Sequence, residues 1–315
     1  MLSKISTIVR IFLLFVYAVC QNTCVLTMMM WAKCVLGESN KLNQYIRSVM
    51  APLSTGVFML LFNIRMSVQV SPDFVPKVKD SVKFFMMTHS SSLDFMTVGT
   101  GYWIVHKLIG ASVVLVKKEL LLMPFFGPLQ IAAGSILVGR SGDVESAKRS
   151  LAVGEQRARE GYMISGFPEG TRRRSPSCGR DQIQPLKKGM FHMANNLRKA
   201  TGKPVCFLPL VIVGGQAAWP SGRLLPIPGS KVAIRFGDCV DMKPDESVDE
   251  ITLRMRSSMQ DELERAGALH NGKYSPDAAF VSGVEVNLWK LYGFEAVMMA
   301  LPMIITVGLG LRGLL

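Results

Sequence analysis

The sequence predicts an α/β fold: a central, mostly β-sheet core flanked by helices, preceded by an N-terminal membrane-associated helical segment. Three observations carry that expectation. Short apolar runs alternate with longer segments of helical period between about residue 80 and Gly267. Asp143 supplies a helix start signal before a segment rich in Ala, Glu, Arg and Lys. Ile11 to Leu36 is apolar, with Gln21, Asn22 and Lys33 as its strongly polar interruptions. That is more than the roughly 20 residues a helix needs to cross a hydrocarbon core.

Taken in order, residues 1–70 read as an apolar, helical-looking membrane anchor. Lys4 and Arg10 precede the first run as they would in a signal peptide. No small-x-small cleavage site follows and the apolar stretch continues past Cys20, which favours a retained anchor. A second run, Val49 to Ile64, is broken by Pro52 and Gly56. Ser71 to Asp80, with Pro72 and Pro76, reads as a linker or turn. Strands are expected at Val82–Thr88, Ala111–Lys117, Gly134–Val138, Tyr162–Phe167, Val205–Val213 and Lys231–Phe236. Helices are expected near Leu93, over Val144–Glu160 and over Gly189–Ala200. A last one is marked by Val248, Ile251, Met255, Met259 and Leu263 at helical spacing. Arg172 to Gln184 reads as a loop. Residues 71–275 form the expected catalytic domain. Residues 276–315 form a C-terminal hydrophobic segment whose run Ala296 to Leu311 suits a shallow membrane helix or a buried one.

Composition narrows the class. The 315 residues carry a formal charge of +13 and are 49% apolar. Lys and Arg near an anionic leaflet contribute about 1 kcal/mol each. Nucleic acid attracts the same charge, but no zinc-finger or RNP-type aromatic motif is present, and the apolar runs point to membrane. The six cysteines, Cys20, Cys24, Cys34, Cys178, Cys206 and Cys239, form no C-x-x-C, so neither a disulfide framework nor a zinc site is expected. The twenty methionines read as packing and lipid contact.

Two short pieces carry chemistry. His89 and Asp94 stand in T-H-S-S-S-L-D after an apolar strand. In the first turn of the following helix, Asp94 would reach back to one imidazole nitrogen and leave the other to take a proton from an alcohol. The plainer reading is a capping pair, with Asp94 satisfying helix amides. Phe167 to Arg172 reads F-P-E-G-T-R. Gly170 permits a close backbone approach, Arg172 offers a fork suited to phosphate, and Glu169 suits a ligand hydroxyl or that arginine. The plainer reading is a β-turn with a surface salt bridge. Ser90, Ser91 and Ser92 lie beside His89, but no G-x-S-x-G elbow supports a serine nucleophile. His192, in G-M-F-H-M, reads as a core histidine, and His106 and His270 carry no partner pattern.

Residues of about 80 to 240 resemble the glycerolipid acyltransferases, and most closely those acting on 1-acyl-glycerol 3-phosphate. Four blocks match in order. His89 to Asp94 looks like the H-x-x-x-x-D block. Gly134 to Arg140, G-S-I-L-V-G-R, resembles the second, usually written G-x-I-F-I-D-R. Phe167 to Arg172 matches the third, and Phe207 to Ile212, with Pro209, resembles the fourth. The connecting K-K-E-L, P-F-F-G and L-K-K-G-M-F also look familial. Two positions depart: Gly139 stands where aspartate is usual, and Thr88 where asparagine often precedes the histidine.

The resemblance implies acyl transfer from acyl-CoA to the free hydroxyl of 1-acyl-glycerol 3-phosphate, giving phosphatidic acid without an acyl-enzyme. His89 would be the base and Asp94 its orienting partner. Arg140, Glu169, Gly170, Thr171 and Arg172 would hold the acceptor. Lys187, Lys188 and Pro209 are weaker candidates for acyl-CoA or the oxyanion, and Lys187 and Lys188 read equally as a solvated helix start. No metal or resident cofactor is expected, acyl-CoA being the co-substrate. The expected partners are acyl-CoA, a lysophospholipid and the bilayer, with no nucleic acid. Alternatives are another acceptor, such as glycerol 3-phosphate or another lysophospholipid, and a catalytically silent lipid-binding protein. The expected location is a membrane, by family habit the endoplasmic reticulum, with the catalytic domain facing the cytosol.

Overall fold

A computed structural model describes residues 62–75, 80–122, 126–139, 143–172 and 182–270, with eight isolated residues upstream of 62. Almost all of the apolar stretch from Ile11 to Leu36 and all of 276–315 lie outside the described residues. Among the described residues, no helix is long and apolar enough to cross a membrane.

The described strands form one mixed sheet. They are β1 (Arg65–Val70), β2 (Val82–Met87), β3 (Ser112–Lys117), β4 (Ile136–Val138), β5 (Met163–Gly166), β6 (Val205–Val213), β7 (Lys231–Phe236) and β8 (Val240–Asp241). Their order is β1-β7-β6-β2-β5-β3-β4, and β8 pairs with β6. The β6–β2–β5–β3–β4 run is parallel, whereas β7 and β8 meet β6 antiparallel. The helices are α1 (Asp94–Ile109), α2 (Phe126–Ala132), α3 (Val144–Arg159), α4 (Gly189–Thr201), α5 (Gly215–Ala218) and α6 (Val248–His270).

The central strands are near-continuous apolar runs because both faces are covered. Alternate residues of β2 feed two cores. Phe85 and Met87 pack on one face with Tyr102 of α1, Leu208, Leu210 and Phe236. Phe84 and Met86 pack on the other with Phe191 and Leu197 of α4 and Ile251, Met255 and Met259 of α6. Asp143 caps α3 as its sequence suggests, accepting the Ser146 amide at 2.8 Å. The left-handed Gly202, at φ 66°, closes α4.

Two expectations need correction, and a third gains detail. Residues 65–70 are not the end of a membrane helix. They are edge strand β1, parallel to β7, with Gln69 opposite Arg235. Arg65, Ser67 and Gln69 alternate with Met66, Val68 and Val70, the period of a strand. In Ser71 to Asp80, expected as a linker or turn, the described residues do form a turn. Pro72–Phe74 is a short 3-10 turn that buries Phe74, and the Ser71 amide donates to Phe236 O at 2.8 Å. The sheet domain therefore begins upstream of residue 71. His192 is exposed rather than in the core, because Met190, Phe191, Met193, Ala194 and Leu197 form the inward face of α4.

Candidate active site

The carboxyl ends of β2 and β5 lie side by side because these strands are parallel neighbours. The segment after β2 carries His89 and the segment after β5 carries Phe167 to Arg172, so the topology joins blocks 80 residues apart. Ligand sites of open α/β sheets form at these strand ends.

Asp94 is the first residue of α1 and fully buried. Its Oδ2 lies 3.2 Å from His89 Nδ1, while the imidazole keeps 23% of its surface. The same carboxylate accepts the amides of Ser90 and Ser91, the latter at 2.6 Å, and the Ser90 hydroxyl at 3.3 Å. Asp94 thus holds the histidine, and the amides it accepts belong to the Ser90–Ser91 turn before the helix rather than to the helix itself. An ionised carboxylate only accepts, so Nδ1 carries the proton and Nε2 is the basic nitrogen. The ring of Phe167 lies against the imidazole, centroids 4.4 Å apart. Gly215 of α5 closes the other side, where a Cβ would stand 2.6 Å from Asp94 Oδ1.

Glu169 differs from expectation. It is buried, and its two oxygens accept the main-chain amides of His89 at 2.9 Å and Gln184 at 3.2 Å. It ties the two site segments together rather than clasping Arg172. Arg172 reaches back over the histidine turn and donates from Nη1 to Ser92 Oγ at 2.8 Å. A guanidinium carries five N–H donors in one planar fork, a geometry suited to an anion. Gly170 has φ +73°, and a Cβ there would come within 2.5 Å of Lys187 Cε, so Lys187 runs along this turn. The exposed Thr171 hydroxyl is turned locally onto Arg172 O at 3.1 Å.

The remaining candidates separate. Lys188 pairs with Asp249 at 2.6 Å, at the exposed start of α6 and not at the histidine. Pro209 has no amide for an oxyanion. It lies inside β6 opposite Met86, and its carbonyl accepts the Gly237 amide at 3.0 Å. Its nitrogen side faces the corner between β7 and β8, where no ladder bond is required. Gly139 follows β4 at the far edge of the sheet, and Arg140 lies outside the described residues.

Sequence reasoning missed three supports: Phe167 on the imidazole, Gly215 beside Asp94, and the serines. Ser90 and Ser91 hold Asp94, Ser91 Oγ also donates to Trp219 O at 3.1 Å, and Ser92 holds Arg172. The run of three small hydroxyl residues was the visible signal.

Residues 72–213 match the model of the family described as Acyltransferase. The chain is 27% identical over 140 residues to a 1-acyl-sn-glycerol-3-phosphate acyltransferase of Cocos nucifera, covering 44% of this chain and 40% of that protein. It is 33% identical over 110 residues to the enzyme of that name from Salmonella typhimurium, covering 35% of this chain and 40% of the relative. The matched chain thus spans well under two thirds of these curated relatives. The crystal structure of the 1-acyl-sn-glycerophosphate acyltransferase of Thermotoga maritima shares the fold, with TM-score 0.56 and 20% identity over 82% of this chain and 97% of that one. With the His89–Asp94 pair and Arg172 at one pair of strand ends, residues 72–213 resemble the acyltransferase-family domain and the 1-acyl-sn-glycerol-3-phosphate acyltransferases they match in part.

Proposed function

We propose that this chain transfers an acyl group from acyl-CoA to the free hydroxyl of 1-acyl-glycerol 3-phosphate, forming phosphatidic acid. The observation that carries the reading is the joining of the His89–Asp94 pair to Arg172 through Ser92, at the carboxyl ends of β2 and β5. His89 Nε2 takes the proton of the acceptor hydroxyl as its oxygen attacks the thioester carbonyl. The C–S bond breaks and coenzyme A leaves as thiolate. Asp94 keeps Nδ1 protonated and balances the imidazolium as it forms. Arg172 holds the acceptor phosphate, and its fixed position turns a diffusive encounter into an oriented one. The nearest hydroxyls already serve Asp94, Trp219 O and Arg172, which favours direct transfer over a seryl intermediate.

Both substrates carry acyl chains that partition into bilayers. The apolar runs at 11–36 and 296–311, with the charge of +13, favour work at a membrane surface, and an endoplasmic-reticulum membrane with a cytosol-facing domain is the proposed location.

The test is thiol release from acyl-CoA by the full chain in detergent, with lysophosphatidic acid, glycerol 3-phosphate and lysophosphatidylcholine compared, beside His89→Ala. Release that requires lysophosphatidic acid and is lost in the variant supports the reading. Turnover only with another acceptor keeps the mechanism and replaces the substrate, and it would direct attention to Gly139. No turnover by folded protein with any acceptor sinks it.

A further inference from the structure

Cys206, Cys239 and Asp241 lie at the other end of the sheet from His89. Cys206 is on β6 and fully buried, Cys239 is half-buried just before β8, and Asp241 is exposed on β8. The topology explains their meeting. Cys206 pairs with Asp241 across the antiparallel β6–β8 ladder, so both side chains take one face. Cys239 precedes Asp241 by two residues, so it takes that face as well. One ligand atom from each of the three lies within 4.8 Å of the others. Cys239 Sγ and Asp241 Oδ1 are 3.7 Å apart. Tetrahedral zinc, with Zn–S of about 2.3 Å and Zn–O of about 2.0 Å, requires ligand atoms roughly 3.5–3.8 Å apart.

We propose that Cys206, Cys239 and Asp241 form a binding site for one thiophilic divalent cation of the zinc class, with a fourth position open to solvent beside Asp241. Thiolate ligands select such ions over magnesium or calcium. Around the three ligands the frame is fixed. Ser81 Oγ stands 3.6 Å from Cys206 Sγ, suited to donate to a thiolate. Lys83 faces Cys206 in the β2–β6 register and offsets the negative charge of two thiolates and a carboxylate. The Cys239 amide donates to Asp73 O at 2.8 Å and the Gly237 amide to Pro209 O at 3.0 Å, which fixes the corner. A bound ion would pin β8 and that corner onto β6. Lys83 and His89 are six residues apart along β2, which at about 3.3 Å per residue puts the metal roughly 20 Å from the base. Its role is therefore structural. The sequence concealed the site because no short cysteine spacing marks it; strand pairing supplies the third ligand.

The experiment uses the full chain in detergent with Cys20, Cys24, Cys34 and Cys178 changed to Ser, under a non-thiol reductant, titrated with Co²⁺. Expected are one equivalent bound, visible bands of tetrahedral cobalt, a thiolate charge-transfer band in the near ultraviolet, displacement by Zn²⁺, and a Zn²⁺-dependent rise in Tm. Cys239→Ser, at a half-buried position, should lose the rise in Tm and much of the charge-transfer band while melting cooperatively without metal. Asp241→Asn should keep the sulfur band and bind more weakly, because a neutral amide oxygen is a poorer ligand for the ion than a carboxylate. Absence of a charge-transfer band at excess cobalt would overturn the proposal, as would a band unchanged in Cys239→Ser. Reduced protein that binds no cobalt yet loses two hydrogens in mass on exposure to air would instead assign the pair to a disulfide.

Discussion

Glu169 accepts the main-chain amide of His89 at 2.9 Å, a bond between residues that lie at the ends of neighbouring parallel strands. The second oxygen of Glu169 takes the Gln184 amide at 3.2 Å, beyond the third motif. A buried carboxylate with two amide donors locks the height of the histidine segment relative to the arginine segment. Glu169→Gln replaces one acceptor oxygen with an NH₂ that faces an N–H. Leaving a buried donor unmatched costs about 1–3 kcal/mol. Thermal unfolding should show that loss, and kcat should fall further than KM rises, since the histidine is misplaced while Arg172 is intact. Unchanged kcat in Glu169→Gln would remove the positioning role.

Asp94→Asn tests the other side of the histidine. One oxygen, Oδ2, meets the Ser90 and Ser91 amides and His89 Nδ1 alike, so asparagine keeps all three with its carbonyl oxygen there and turns its NH₂ to the Oδ1 side, towards Ser90 Oγ. The tautomer is then preserved, and what is lost is the negative charge that balances the imidazolium. kcat should fall, but by less than the roughly 10⁴ seen where asparagine imposes the wrong tautomer on a catalytic histidine, with modest change in acceptor binding. Single-turnover thiol release and acceptor Kd, measured separately, check this.

Thr88 is fully buried, and its hydroxyl oxygen accepts the Ile212 amide at 2.9 Å while its own amide donates to Leu210 O. It extends the β2–β6 ladder by one side chain at the base of the site. Thr88→Val keeps the shape and removes the acceptor, orphaning a buried N–H at a cost of about 1–3 kcal/mol. Thr88→Ser keeps the oxygen and should recover most of that. Denaturant midpoints for the two variants provide the comparison.

The sheet was legible where the chain is buried on both faces. Val205–Val213 and Lys231–Phe236 are strands with the bounds their patterns suggest, since runs of β-branched and aromatic residues there have no helical competitor. Arg65–Val70 was obscured because its alternation begins one residue after an apolar run that reads as helix, and the period is lost when the two are merged. The site was legible in its chemical groups and less so in their partners. His89 pairs with Asp94, and Arg172 reaches Ser92 in the turn between them. The partners of Glu169 depend on the adjacency of β2 and β5, and the setting of Pro209 on its place in β6 beside the corner at Gly237. Neither is encoded in local spacing.

Arg172 has a more specific prediction than loss of charge. One N–H of its fork is held by Ser92 at 2.8 Å, which orients the plane over the histidine turn. Arg172→Lys keeps the cation and loses the fork, so the affinity for a phosphate-bearing acceptor should fall by about tenfold or more while acyl-CoA KM is unaffected. Ser92→Ala leaves the guanidinium in place but unanchored, and should raise acceptor KM by a smaller factor. Equal effects of Arg172→Lys on both substrates would assign the residue to general fold or surface charge instead.

Gly215 limits the space around the dyad. A Cβ there would stand 2.6 Å from Asp94 Oδ1 and 3.2 Å from Ser91 Cβ. Neither neighbour can yield freely: Asp94 is fixed by the Ser90 and Ser91 amides, and Ser91 by Trp219 O. Gly215→Ala must therefore push the carboxylate or α5. Overpacking of this kind costs about 1–3 kcal/mol, and a shift of the carboxylate from Nδ1 lowers kcat without touching the Arg172 anchor. Gly222→Ala provides a comparison: that glycine also lies in the segment between β6 and β7 and has open space around its Cβ position, though its φ of +87° makes alanine strained there. Both variants should lose stability, but Gly215→Ala alone should lose kcat at temperatures where both are folded. Equal kcat in the two would mean that the carboxylate tolerates the methyl group and that Gly215 serves only the backbone turn.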